Sequence, residues 1–228
     1  MQHYVIDAPN PVVLAVDGTD KVFPVRRIHC VGRNYADHIR EMGNDERDPP
    51  FFFQKPTDAI LPSGSDFPYP PLSSDVHHEI ELVVAIGKAG KNIDKADALD
   101  HVYGYGVGID MTRRDLQAQS KDARRPWENG KAFDNAAPCS PLKAASDIGH
   151  PNTGRIWLSV NGVVKQDGDL AQQIWNVSET IWHLSQSVAL APGDLIMTGT
   201  PAGVGPVQRG DHITGGVAGI AEIDIKVT

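Results

Sequence analysis

Two glutamates in V-H-H-E-I-E-L at 76–82 carry the most chemistry in this chain. Glu79 and Glu81 stand two residues apart, and on a β-strand positions i and i+2 share a face. Ile80, Leu82, Val84 and Ile86 alternate on the opposite face, which predicts a strand with two carboxylates projecting together from one edge of a sheet. Asp110, in G-I-D-M-T-R-R-D-L-Q at 108–117, adds a third carboxylate where an expected strand gives way to a helix. Three carboxylates without a Cys or His majority suit a hard divalent cation, Mg2+ or Mn2+. Alone, a Glu-x-Glu pair is an ordinary solvated strand face. The metal reading therefore requires a fold that brings 79–81 and 110 together.

A second group of residues has the spacing for proton transfer. His38 and Glu41 are three apart in a stretch of good helix formers at 35–42, so the carboxylate can orient the imidazole or share its proton. Arg114 and Gln117 have the same spacing on the helix expected from T-R-R-D, which resembles a capping box, through about 122. Lys131 sits in R-R-P-W-E-N-G-K at 124–131, which reads as a loop, and locally it is a plain solvated lysine. The glycines at 104, 106 and 108 leave one strand face bare, open to a close backbone or a ligand. Their G-x-G-x-G spacing lies inside a strand and does not make a dinucleotide fingerprint.

The elements that position these groups are mostly short strands. Residues 12–16 and 22–28 flank D-G-T-D as a hairpin. A charged, breaker-rich stretch at 43–50 reads as a mobile loop. F-F-F-Q-K-P at 51–56 is a short strand stopped by Pro56, and 62–75 is an extended connection. Strands at 155–160 and 163–166 flank Asn161-Gly162, a strong hairpin signal. A helix is expected near 178–189, and P-G-D at 192–194 turns into a strand at 195–198. The pattern predicts a β-dominated α+β fold.

The 228 residues suffice for one good core or two small ones. A net charge of -8 argues against a nucleic-acid or anionic-membrane partner. No apolar run approaches the roughly 20 residues that span a bilayer, and the N-terminus lacks the pattern of a signal peptide. Cys30 and Cys139 fit reduced, buried thiols in a cytoplasmic protein.

Taken in order, R-N-Y-A-D-H-I-R-E-M, H-H-E-I-E-L, G-I-D-M-T-R-R-D-L-Q, W-E-N-G-K and G-D-L-I-M-T-G-T-P-A-G-V-G-P closely resemble the fumarylacetoacetate hydrolase family, in particular its short acylpyruvate hydrolases. The resemblance runs from about residue 24 to the end. It implies a mixed β-sandwich roll with a few short helices, usually in homodimers, with 1–22 as an extension and 23–228 as a single catalytic domain. It implies that Glu79, Glu81 and Asp110 bind the metal, and that His38 and Glu41 activate water on a lid helix. Lys131 would stabilise an oxyanion, Arg114 and Gln117 would line the pocket, and Thr200 would hold the substrate carboxylate. Arg113 stands where many relatives carry a small residue, beside these positions rather than on them.

The implied reaction is hydrolysis of the carbon–carbon bond of an acylpyruvate, a small 2-oxo acid. Three carboxylates fill half of an octahedron, a chelating 2-oxo acid takes two more positions and water the last. Fumarylpyruvate is the favoured substrate, as in the gentisate route of aromatic catabolism; its second acid group needs a cation, with Arg33, Arg40 and Arg47 as candidates. The alternatives are maleylpyruvate hydrolysis, oxaloacetate decarboxylation and isomerisation of an unsaturated 2-oxo diacid. A non-enzymatic metal scaffold fits less well, because it has no use for a His38/Glu41 dyad.

Overall fold

The computed structural model describes residues 3–35 and 48–228. Its frame is a mixed eight-stranded sheet. The central path runs Phe51–Lys55, Arg27–Gly32, Asp194–Met197, Ile80–Ile86, Val102–Ile109, Ala137–Cys139 and Ile60–Pro62, with Lys143–Ala144 also paired to Val102–Ile109. Asp194–Met197 runs parallel to Arg27–Gly32 and antiparallel to Ile80–Ile86. A five-stranded sheet, ordered Val163–Asp169, Arg155–Val160, His212–Val217, Ala221–Val227 and Asp66–Phe67, packs against it. The facing surfaces share one core that includes Ile80, Leu82, Val107, Leu158, Ile213 and Ile225. This is the curled, β-dominated roll with short helices that the sequence predicts.

Several elements differ from expectation. The strand expected at 22–28 is two: Val22–Pro24 pairs with Val13–Ala15 in a hairpin, and Arg27–Gly32 enters the large sheet. The break falls after Pro24, where the Arg26 N–H bonds the Gly193 carbonyl. The segment 76–82 is not one strand either. Val76–His78 belongs to a small sheet with Thr112–Arg113 and Gly205–Val207, and Ile80–Ile86 belongs to the large one. Glu79 stands at the junction, where its carbonyl accepts the Asp110 N–H at 2.8 Å.

Ile80–Ile86 is an interior strand, buried along its whole length, rather than an edge with one wet face. The bare glycine face of Val102–Ile109 receives protein, not ligand. A Cβ on Gly104 would lie 2.1 Å from the Lys143 carbonyl oxygen, so glycine is what lets Lys143–Ala144 pair there. The Asn161-Gly162 hairpin forms as expected, with φ of 52° and 77° at the two turn residues. The helix expected near 178–189 is Val177–Ser187, capped by reciprocal bonds between Asn176 and Glu179.

Candidate metal centre and substrate cavity

The fold brings the three carboxylates together. One oxygen from each of Glu79, Glu81 and Asp110 lies within 4.8 Å of the others, and all three residues are buried. The cluster forms because Glu81 points from Ile80–Ile86 and Asp110 immediately follows the neighbouring strand, Val102–Ile109. The Asp110 N–H to Glu79 carbonyl bond closes the corner.

Three cations surround them. Lys131 Nζ lies 2.6 Å from Asp110 Oδ2, 2.9 Å from Glu79 Oε2 and 2.6 Å from Thr112 Oγ1. An ammonium has three hydrogens, so this arrangement commits all of them. Arg114 pairs with Glu79 Oε1 and donates to Gln117 Oε1 at 2.6 Å. Lys55 Nζ lies 2.8 Å from Asp110 Oδ1 and donates to the carbonyls of Met111 and Lys131. On the far side, the Gly199 N–H donates to Glu81 Oε2 at 2.6 Å. Gly199 has φ of 93°, and a Cβ there would meet Asn34 Cβ at 2.8 Å, so that turn requires glycine.

These contacts set the proton affinities. Burial opposes ionisation of Glu79, but Lys131 and Arg114 outweigh it and hold its carboxyl below the usual range. Burial pushes the Glu81 carboxyl well above that range, and the charges of Asp110 and Glu79 push it the same way. Burial pulls the Lys131 ammonium down, yet Asp110 and Glu79 more than reverse this and keep it a cation. A buried carboxylate crowded by two like charges is a group that a divalent cation would relieve. The oxygen-only donor set fits a hard ion such as Mg2+ or Mn2+.

The cluster forms part of the wall of a cavity of about 280 Å3. Arg33, Arg114, Gln117, Lys131 and Thr200 line it with Glu79 and Glu81, so the cavity gathers most of the residues the sequence singles out. His38, Glu41, Arg40 and Arg47, and the helix and most of the loop expected around them, lie outside the described residues.

Local expectations need three corrections. T-R-R-D forms no capping box. Thr112 and Arg113 are strand residues, Arg114–Asp122 is the helix, and Asp115 accepts from Ser73 Oγ and from the Ser74 and Leu116 N–H groups. The 124–131 stretch is not all loop, because Glu128–Lys131 makes a helical turn. Lys131 is therefore buried instead of solvated.

Two buried residues at the site were not singled out from sequence. Lys55 ends the strand Phe51–Lys55 on the same face as Phe53, whose ring Lys131 Nζ overlies at 5.2 Å. Alternation along F-F-F-Q-K is the signal that could have turned it inward. Gln166, fully buried, bonds Thr200 and the Ile80 N–H. Cys30 and Cys139 are buried free thiols, as expected. No helix among the described residues is long and apolar enough to cross a membrane.

Comparison with known proteins places this geometry among relatives. A fumarylpyruvate hydrolase from Pseudomonas aeruginosa, solved with Mn2+ and pyruvate, is 50% identical and superposes with a TM-score of 0.97 over 99% of each chain. A mitochondrial oxaloacetate decarboxylase from Dictyostelium discoideum is 44% identical over 86% of this chain and 90% of its own. A mitochondrial oxaloacetate tautomerase from Mus musculus is 41% identical over 89% of this chain and 91% of its own. The sequence model of the fumarylacetoacetate (FAA) hydrolase C-terminal family matches residues 27–228, and the chain belongs to that family.

Proposed function

We propose that this chain is a metal-dependent acylpyruvate hydrolase whose preferred substrate is fumarylpyruvate, cleaved to fumarate and pyruvate. One observation carries the choice of a dianion. Once metal binding ionises Glu81, the three carboxylates are balanced by Lys55, Lys131 and Arg114, so the charge of a divalent ion is left for the substrate to neutralise. Arg33 and Lys121 on the cavity wall add to the demand for anionic charge. The Pseudomonas aeruginosa relative supports the same substrate.

In this reading Glu79, Glu81 and Asp110 hold Mg2+ or Mn2+. When bound, the ion supplies Lewis acidity to the 2-oxo and carboxylate oxygens of the substrate. Thr200 donates to the substrate carboxylate, and Arg114 and Gln117 pack along the pyruvoyl part. His38 and Glu41 take a proton from water, whose oxygen bonds to the distal acyl carbon. The carbon–carbon bond then breaks, its electron pair goes to the methylene carbon of the pyruvate enolate, and a proton delivered there completes pyruvate. Lys131 stabilises the oxyanion on the acyl carbon. It does so by exchanging one of its three present acceptors for the substrate oxygen, with Lys55 fixing Asp110 as it does. Arg33, which lines the cavity, is the cation for the distal carboxylate. The reading carries with it a role in aromatic catabolism by the gentisate route, a cytoplasmic location, a homodimer, and 1–22 as an extension of a single catalytic domain.

A second reading has support in the two curated relatives named for oxaloacetate chemistry. Oxaloacetate is also a dianionic 2-oxo acid, and enolate formation from it needs no attacking water. Comparing kcat/KM for fumarylpyruvate, a monoanionic acylpyruvate and oxaloacetate separates the readings. The proposal expects fumarylpyruvate to lead. Oxaloacetate leading, with both acylpyruvates inert, would replace hydrolysis with decarboxylation or tautomerisation.

A further inference from the structure

Gln166 occupies a place that its surroundings do not advertise. It lies in Val163–Asp169, whose other residues up to 167 are exposed, yet it is fully buried. A bulge explains this. Leu158 pairs with Gln166 and Ser159 with Val164, so Lys165 has no partner and the strand turns Gln166 inward.

The orientation of its amide is forced by its neighbours. The Ile80 N–H, which can only donate, lies 3.1 Å from one end, so that end is Oε1. The Pro201 carbonyl, which can only accept, lies 2.9 Å from the other, so that end is Nε2. His78 Nδ1, 2.9 Å from Oε1, must then carry its hydrogen. The second hydrogen on Nε2 goes to Thr200 Oγ1 at 2.8 Å. Thr200 Oγ1 is therefore an acceptor toward the protein. Among the described residues nothing accepts its own hydrogen, and Thr200 lines the cavity beside Glu79 and Glu81.

We infer that Gln166 is a positioning residue that directs the Thr200 hydroxyl hydrogen into the cavity, making Thr200 a dedicated donor to an anionic substrate oxygen. The same amide ties the T-G-T-P loop to the Ile80 N–H beside Glu79. One side chain thereby fixes the distance between the carboxylate donor and the carboxylate cluster. The inference rests on the reading of the cavity as a 2-oxo acid site.

The test uses the full chain saturated with Mn2+, with pyruvate as the titrated probe in calorimetry. Thr200→Ser should bind pyruvate like the wild type. Thr200→Val should bind roughly 10- to 100-fold more weakly, as expected for a lost hydrogen bond to a charged group. Gln166→Glu replaces the donor with an acceptor and should turn the hydroxyl inward for a similar loss. Gln166→Met is the uncharged second variant if Gln166→Glu does not fold. In Gln166→Met/Thr200→Val the pyruvate loss should stay within about twofold of Thr200→Val alone. The fall in thermal stability from stranding the Ile80 N–H and Pro201 carbonyl should persist in both backgrounds. Losses in pyruvate affinity that multiply in the double variant would overturn the inference while leaving the site intact. A wild-type protein that does not bind pyruvate would overturn the proposed function, and this inference with it.

Discussion

Lys55 Nζ lies 2.8 Å from Asp110 Oδ1, an ion pair between two side chains almost wholly removed from solvent. Its partners come from distant parts of the chain, and with Lys131 on the other oxygen it holds the Asp110 carboxylate from both sides. Replacing Lys55 by Met would leave Asp110 Oδ1 without its paired charge and the Met111 and Lys131 carbonyls without a donor. Breaking one side of a buried pair costs about 3–5 kcal/mol. Thermal denaturation should show a loss of that order. Excess Mn2+ should stabilise the variant more than it stabilises the wild type, because the cation replaces the missing charge. Equal stabilisation of both proteins would remove Lys55 from the electrostatics of the cluster.

The Glu81 carboxyl, raised by burial and by Asp110 and Glu79, predicts proton release on metal binding. A carboxyl must ionise to ligate, so its proton leaves as the ion enters. Apparent Mn2+ affinity should therefore rise with pH above the usual carboxylate range. Calorimetry in two buffers of different ionisation enthalpy measures the released proton directly. Identical heats in both buffers would contradict a raised Glu81.

Glu41→Ala probes the dyad. If Glu41 supports His38 in activating water, turnover of fumarylpyruvate should fall about 100-fold or more. Mn2+ and pyruvate affinities should stay as in the wild type. Unchanged turnover would exclude Glu41 from proton transfer.

A pH effect on stability is expected away from the cavity. Burial, reinforced by the Arg27 charge, pushes the His29 imidazole down to about 4. The unfolded chain takes up this proton near pH 6.5 and the native chain does not until about 4. The His29 contribution is thus whole above about pH 6.5 and drains away as the pH falls toward 4. His29→Gln should reduce the stability difference between pH 7 and pH 5 by about 2 kcal/mol in urea denaturation. An unaltered difference would show that His29 protonates freely in the native state.

The site was legible where its chemistry sits in short, fixed spacings. Glu79 and Glu81 declared themselves by an i, i+2 pattern, and Asp110 by its place at the end of a strand. The pattern held although the strand breaks at Glu79, because Asp110 directly follows the strand that pairs with the one carrying Glu81. Lys131 emerged only through family resemblance, since the turn Glu128–Lys131 reads locally as loop. Lys55 and Gln166 were opaque for different reasons. Lysine at a strand end before proline reads as a solvated terminus, and only the packing of Phe51–Lys55 against the site turns it inward. Gln166 is buried through a one-residue bulge, a register event that alternation does not reveal. The interior placement of Ile80–Ile86 shows in its odd positions, where Val83 and Ala85 make the run after Glu81 apolar on both faces.

If the Glu79, Glu81 and Asp110 cluster supports metal-dependent cleavage of an acylpyruvate, removing the metal or a ligand must stop the reaction. The most direct measurement follows the ultraviolet band of the fumarylpyruvate enol with Mn2+, with EDTA, and with Asp110→Ala, while released pyruvate is quantified. The band should disappear with one pyruvate released per substrate in Mn2+, and neither should occur with EDTA or with Asp110→Ala. Equal pyruvate release in EDTA, or by Asp110→Ala, would contradict it.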